Sequence, residues 1–259
     1  MTTGSPGVVS RIDDGILRVT IDRPARMNAV RTDTLTAVAE AFEKSAQDPA
    51  VRAAVLTGTG RAFCSGADIS GRDVSAPPSP DTIDAANRVT ATIRDFPRPV
   101  VGAVNGAAAG VGVSLALACD LTVAKESAYF LLAFTRIGLM PDGGATALVA
   151  ASIGRARALR MAMLAERLPA PEALASGLIA DVYSDDGFDD AVDDLLARLA
   201  AGPSAALAST KHAINAATLT ELVGAFGRER AGQLDLLAGP EFAEGVTAFQ
   251  EKRTADFRR

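Results

Sequence analysis

Histidine is almost missing from this chain: His212 is the only one in 259 residues. A metal site built from several histidines is excluded, and a Ser-His-Asp arrangement would have to form around that one residue. Tryptophan is absent and tyrosine occurs twice, too few aromatic faces to stack on single-stranded nucleic acid. The two cysteines, Cys64 and Cys119, make neither a CxxC pair nor a disulfide framework. No basic run exists beyond Arg258-Arg259, and the net charge is −5, so nothing draws the chain to phosphate backbones or anionic lipid. Neither a nucleic acid nor a membrane is expected as a partner. Residues 1–7 lack both a basic region and a long apolar run, so no signal peptide is read and the cytoplasm is the expected location.

What is present is an ordinary globular composition, 48% apolar and 22% charged, which excludes a disordered, collagen-like or coiled-coil chain. Leu17, Val19 and Ile21 alternate with Arg18, Thr20 and Asp22, a strand with one buried face. Thr32 or Asp33 can cap a helix whose stripe is Leu35, Val38 and Phe42. A second strand covers residues 51–57. Residues 70–84 are polar, hold Pro77, Pro78 and Pro80, and read as a loop suited to a lid. The helix after it must stop near Phe96, before Pro97 and Pro99. Residues 100–119 contain only Asn105 and Ser114 as polar groups, long enough to cross a bilayer. Four glycines interrupt them and Asp120 follows, so the expected structure is a buried strand, a glycine turn and a buried helix. Strands alternate with helices to about Asp181, the pattern of an α/β layer fold. Beyond Phe188 the pattern is helical throughout, with Phe188, Val192, Leu195, Leu196 and Leu199 on one stripe. Gly202-Pro203 divides a core of residues 1–201 from a helical region of residues 202–259.

Two glycine-containing turns are candidate sites. The first is Ala62-Phe63-Cys64-Ser65-Gly66-Ala67-Asp68-Ile69. The second runs from Val104-Asn105-Gly106 through Ala107-Ala108-Ala109 to Gly110-Val111-Gly112, just before an apolar helix. Free amides at a helix start favour negative charge. Neither turn matches GxGxxG or GxxxxGK[ST], and glycines alone serve close packing of helix on strand equally well.

Asn-Gly-x-Ala-x-Gly-x-Gly followed by Ser-Leu-Ala-x-x-Cys-Asp resembles the signature of the enoyl-CoA hydratase/isomerase (crotonase) superfamily. The likeness extends in order from Arg23-Pro24-Ala25-Arg26-Met27-Asn28-Ala29 to Ala248-Phe249-Gln250-Glu251-Lys252-Arg253. It implies an α/β fold, a spiral of ββα units with a helical C-terminal trimerisation region, assembled as a homotrimer or a dimer of trimers. It implies an acyl-CoA thioester as substrate, with CoA as part of that substrate and no separate cofactor or metal. Matched position by position, the amides of Ala67 and Val111 would form an oxyanion hole, flanked by Gly66, Asp68, Ile69 and Gly110. Ala25, Arg26 and Met27 would lie along the CoA nucleotide, and Phe249 and Lys252 would reach CoA, often in the adjacent subunit. Family members usually carry glycine where Val111 stands; valine keeps the amide and adds a side chain toward the acyl pocket.

The same resemblance places the two glutamates of the hydratases at Ser114 and Phe134, where neither side chain can serve as a base. Asp142, in Met140-Pro141-Asp142-Gly143-Gly144, is the best remaining candidate. Its position resembles that of ring-opening isomerases and of dehalogenases, but no histidine precedes His212 to complete the dehalogenase set. One carboxylate suffices for a 1,3-proton shift through an enolate, so double-bond isomerisation with Asp142 as shuttle is the leading expectation. The alternatives are a hydratase using other groups, an acyl-CoA-binding chain without catalysis, and, for Asp142 itself, helix capping alone. Asp68 and Asp120 are expected to be structural, His212 solvated or at an interface, and both cysteines buried. The aspartates between 185 and 194 are expected to be surface charge.

Overall fold

The computed structural model describes residues 2–5, 7–73 and 75–258. Positions 1, 6, 74 and 259 lie outside these, and with them parts of the leader reading, of the proline-rich loop and of the terminal arginine pair. The chain opens with an antiparallel ribbon of β1 (Thr2–Ser5), β2 (Val8–Asp13) and β3 (Ile16–Ile21). In β3, Leu17, Val19 and Ile21 are buried as the alternation requires. A 3₁₀ turn, Pro24–Arg26, leads to α1 (Thr32–Ala46), which buries Leu35, Val38 and Phe42. The N-cap is Arg31, with no side-chain cap, rather than Thr32 or Asp33. Asp33 instead accepts the Thr34 amide, and the Thr32 hydroxyl meets that of Thr82.

Three units then repeat one design: a strand for a large sheet, a short strand for a small one, and a helix. The first is β4 (Ala53–Gly58), β5 (Ala62–Cys64) and α2 (Asp81–Asp95). The second is β6 (Val100–Val104), β7 (Ala107–Ala109) and α3 (Val111–Ala118). The third is β8 (Leu121–Lys125), β9 (Tyr129–Leu131), a 3₁₀ turn (Ala133–Ile137) and α4 (Ala145–Leu164), which breaks at Gly154. Next come β10 (Leu168–Pro169), α5 (Ala170–Ser176), β11 (Asp181–Tyr183) and α6 (Phe188–Ala201). Among the described residues the large sheet has the order β1-β2-β3-β4-β6-β8-β11 and is parallel from β3 onward. The small sheet has the order β10-β9-β7-β5 and is parallel except at β10. This is the expected spiral of ββα units.

Two expectations change at this level. Residues 62–64 and 107–109, read as parts of glycine turns, are strands that pair with each other; three residues are too few to show an alternation. The irregular stretch expected over 70–84 ends at Pro80, because Asp81 opens α2, where Asp81 and Asp84 carry the charge that a helix start favours.

The large sheet is covered on both faces, which is why β6 is buried at every residue. Ala54, Leu56, Val100 and Val104 face α1, α2 and α3, while Ala53, Val55, Val101 and Ala103 face Phe188, Val192 and Leu196 of α6. Phe42 and Phe96 add an edge-to-face contact at 5.3 Å. In α3 all residues are buried except the half-buried Leu117, as befits a helix that is apolar all round. The run 100–119 is thus two strands and a core helix. Among the described residues no helix is long and apolar enough to cross a membrane.

The chain ends with α7 (Ser204–Thr218), α8 (Leu222–Leu237) and α9 (Pro240–Gln250). No residue of α7 is buried; its anchor is Lys211. The Lys211 ammonium donates to the carbonyls of Ile93 (2.9 Å) and Arg98 (3.3 Å) and pairs with Asp120 at 2.9 Å. Asp120 in turn accepts the Val100 amide at 2.8 Å, the structural task expected of it. Removing one member of a largely buried ion pair leaves the other without compensation. Lys211→Met is therefore expected to destabilise the fold by about 3 kcal/mol, read as a lower urea midpoint; an unchanged midpoint would contradict this anchoring role.

Candidate active site

The segment around Ala67 is built by zipping two pieces of chain together. The Ser65 amide donates to the Met27 carbonyl (3.1 Å), the Val30 amide to the Gly66 carbonyl (2.9 Å) and the Asp68 amide to the Val30 carbonyl (2.8 Å). Val30 and Ala67 form a parallel bridge. In such a bridge the amides of neighbouring residues point to opposite sides, so the Ala67 N–H is directed away from Val30. Asn28, fully buried, locks the same region: it accepts the Arg23 amide and donates to the carbonyls of Thr59 and Ala62. Arg23 pairs with Asp68 at 2.9 Å. Asp68 also accepts from the Ser70 hydroxyl and amide. Burial alone would raise its carboxyl; these partners outweigh that and hold it below the usual carboxylate range. Asp68 is thus a turn residue, as expected.

The second segment is the start of α3. Val111 is its first residue, so its amide has no intrahelical acceptor. Gly110 precedes it with φ +55°, and Gly66 has φ +106°. A Cβ on Gly66 would stand 3.3 Å from the Ala109 carbonyl oxygen, and one on Gly110 would stand 3.3 Å from the Gly66 Cα. Two bare backbones therefore lie against each other, and the residue following each glycine, Ala67 and Val111, carries the amide in question. The Phe134 ring tip lies against Gly110, and Phe134 is 8% exposed.

The loop of Asp142 closes the other side. A Cβ on Gly143 would meet Ser114 at 3.1 Å and the Val111 Cγ2 at 3.3 Å, so Asp142 adjoins the first turn of α3. The Ser114 hydroxyl donates to the Asp142 carbonyl oxygen at 2.7 Å, and the Thr90 hydroxyl to that of Gly143 at 2.8 Å. From α8 come two buried polar side chains. Gln233 donates to the Asp142 Oδ2 (2.9 Å) and accepts the Met140 amide (3.1 Å). Glu229 accepts the amides of Gly144 (2.7 Å) and Thr146 (2.8 Å) and the Thr146 hydroxyl. The helix-capping reading of Asp142 is thereby corrected. The amides of Gly144 and Thr146 at the start of α4 are held by Glu229, a residue distant in sequence, that of Ala145 by the Asp142 backbone carbonyl, and the Asp142 side chain is left to Gln233. Burial pushes the Asp142 carboxyl up to about 7; the Gln233 hydrogen bond opposes this, and the Glu229 charge adds to it.

Gln233 and Glu229 were not singled out from the sequence. The available signal is their spacing: Leu222, Ala225, Glu229 and Gln233 share the buried stripe of α8, and a polar residue on an apolar stripe requires a buried partner. Among the other expected site residues, Ala25 and Arg26 are exposed and Met27 half-buried on the turn joined to residue 65. Ile69 is half-buried, just beyond the Ala67 bridge. Phe249, 52% exposed, lies in the last turn of α9, whose Gln250 donates to the Arg72 carbonyl, and Lys252 lies just beyond the helix. His212 is exposed. Both cysteines are buried, with the Cys64 thiol pushed up to about 12 by desolvation. Among the described residues no cluster of His, Cys, Asp or Glu is placed to hold a metal ion.

The raised Asp142 carboxyl fixes the sign of a stability effect. The folded chain keeps a proton there that the unfolded chain has already released. The associated stabilisation is complete below about pH 4 and is lost as the pH rises through about 7. Asp142→Asn has no proton to release. Its melting temperature relative to the unmodified protein is expected to climb between pH 4 and pH 8; a difference that stays constant would contradict the assignment.

Comparison with known proteins agrees with this geometry. The family model for enoyl-CoA hydratase/isomerase matches residues 11–259. A protein of Rhodobacter capsulatus named a probable enoyl-CoA hydratase is 41% identical over 95% of each chain. The 1,2-epoxyphenylacetyl-CoA isomerase of Escherichia coli is 36% identical over 96% of this chain and 97% of its own. The crystal structure of an enoyl-CoA hydratase from Mycobacterium avium subsp. paratuberculosis superposes with a TM-score of 0.92 at 51% identity, covering 98% of this chain and 99% of that one. With the ββα spiral and the paired glycine turns, these findings establish that the chain belongs to the enoyl-CoA hydratase/isomerase family of acyl-CoA enzymes.

Proposed function

We propose that this protein is an acyl-CoA isomerase that shifts a proton through an enolate, with Ala67 and Val111 as the oxyanion donors and Asp142 as the base. A proton beside a thioester carbonyl is too weakly acidic to leave at neutral pH. Two amides aimed at the carbonyl oxygen stabilise the enolate, each worth about 3 kcal/mol. Asp142 takes the proton from C2 of a 3-enoyl-CoA and returns it at C4, so no second carboxylate is needed. A base whose pKa lies near the working pH is the efficient choice for such a transfer.

The observation that carries this reading is the single carboxylate, raised to about 7, beside the first turn of α3. Ser114 and Phe134, at the positions expected for hydratase glutamates, are committed to the Asp142 carbonyl and to Gly110. Glu229 is fully buried with both oxygens engaged, so it offers no second carboxylate to split water. The isomerase named among the relatives supports the same choice. The hydratase names of two others favour the second reading, hydration. Assays on a 3-enoyl-CoA and on crotonyl-CoA separate the two. Asp142→Asn is expected to lower isomerisation at least about 100-fold with acyl-CoA affinity unchanged, and kcat/KM should rise with pH through about 7. Crotonyl-CoA hydration that survives this substitution would overturn the proposal and favour hydration.

We also infer a homotrimer, or a dimer of trimers. No residue of the 15-residue α7 is fully buried within its own chain, and Ile214 and Val223 stand 57% and 67% exposed on α7 and α8. Assembly would cover these side chains and bring Phe249 and Lys252 of one copy toward the CoA of the next. Light scattering should give three or six times the chain mass; a monomer at micromolar concentration would contradict the inference.

A further inference from the structure

We propose that Gln233 is the positioning residue for Asp142: its side-chain amide ties the carboxylate Oδ2 to the Met140 end of the same loop, leaving Oδ1 as the oxygen that exchanges the proton. The inference rests on the isomerase reading for its kinetic consequence, but not for its geometry. Gln233 is 2% exposed. Its Nε2 donates to Asp142 at 2.9 Å and its Oε1 accepts the Met140 amide at 3.1 Å. One rigid amide thus holds a backbone atom and a side-chain atom two residues apart, which fixes both the loop and the carboxylate rotamer.

Close approach of α8 makes this possible. The Met140 side chain lies against the bare backbone of Gly232: a Cβ there would stand 2.5 Å from the Met140 Sδ, so a side chain at 232 would displace the end of that flexible side chain. The helix is anchored one turn earlier by Glu229, whose two oxygens hold Gly144 and Thr146. The same loop is faced from α3 by Ser114 and from α2 by Thr90, neither of which titrates in the working range. Glu229 is the charged group acting on Asp142 from α8. With its donor removed, Asp142 loses the one hydrogen bond that favours its ionised form. A misplaced base also costs rate without weakening the grip on the CoA ester.

The test uses two variants of the full chain. Gln233→Met removes both bonds; Gln233→Glu keeps an acceptor for Met140 and removes the donor. The Asp142 carboxyl carbon, labelled with ¹³C and assigned by its absence in Asp142→Asn, is titrated by NMR in the free protein. The midpoint is expected to move to higher pH in Gln233→Met and further in Gln233→Glu. Isomerisation is expected to lose about 10- to 100-fold in kcat with KM little changed, and the pH limb should follow the NMR midpoint. Should Gln233→Met fail to fold, Gln233→Glu carries the test alone. An unmoved midpoint with an unmoved kcat would overturn the proposal. A moved midpoint in a protein that never isomerises a 3-enoyl-CoA would uphold the positioning and overturn the isomerase reading instead.

Discussion

The site depends on one close contact, the backbone of Gly66 resting on the backbone of Gly110. Each glycine has a positive φ, and a methyl group on either would intrude on the other segment. The two glycines follow the short strands of different ββα units and come together because β5 and β7 pair in the small sheet. The large sheet supplies the core and the small sheet supplies the alignment. Side chains contribute to this arrangement mainly by being small.

Asp142 reaches the site by a different route. Its loop belongs to the third unit, yet it is held by α8, nearly a hundred residues further on. Gln233 and Glu229 are polar residues placed on a stripe that should be apolar, and each is satisfied by this loop. Burying them without those partners would cost several kcal/mol, so the docking of α8 and the geometry of the loop stabilise each other. Helix α8 is therefore part of what holds the Asp142 loop in place.

The legible parts of the sequence were those with local causes. Leu17, Val19 and Ile21 alternate because one face of β3 is buried, and the run 100–119 is apolar because β6 and α3 have no exposed side. Pro97 and Pro99 stop α2 where expected. Ala67, Val111 and Asp142 were found by likeness to a family, and they occupy neighbouring turns of the fold. What stayed hidden depends on distant pairing. β5 and β7 are three residues each and become strands only beside each other. Asp142 precedes a helix and carries the chemistry of a cap, so nothing nearby reveals that a carboxylate 87 positions on, at 229, does the capping and frees it. Gln233, 91 residues from its partner, is equally silent in a local window.

The central claim is that the amides of Ala67 and Val111 share one oxygen of a thioester. A crystal structure with a non-reactive acyl-CoA measures it directly. The account requires the thioester oxygen to lie about 2.7–3.1 Å from both nitrogens, with Asp142 in proton-transfer reach of the carbon beside the carbonyl. A thioester oxygen bound to other donors, or pointing away from either amide, would contradict it.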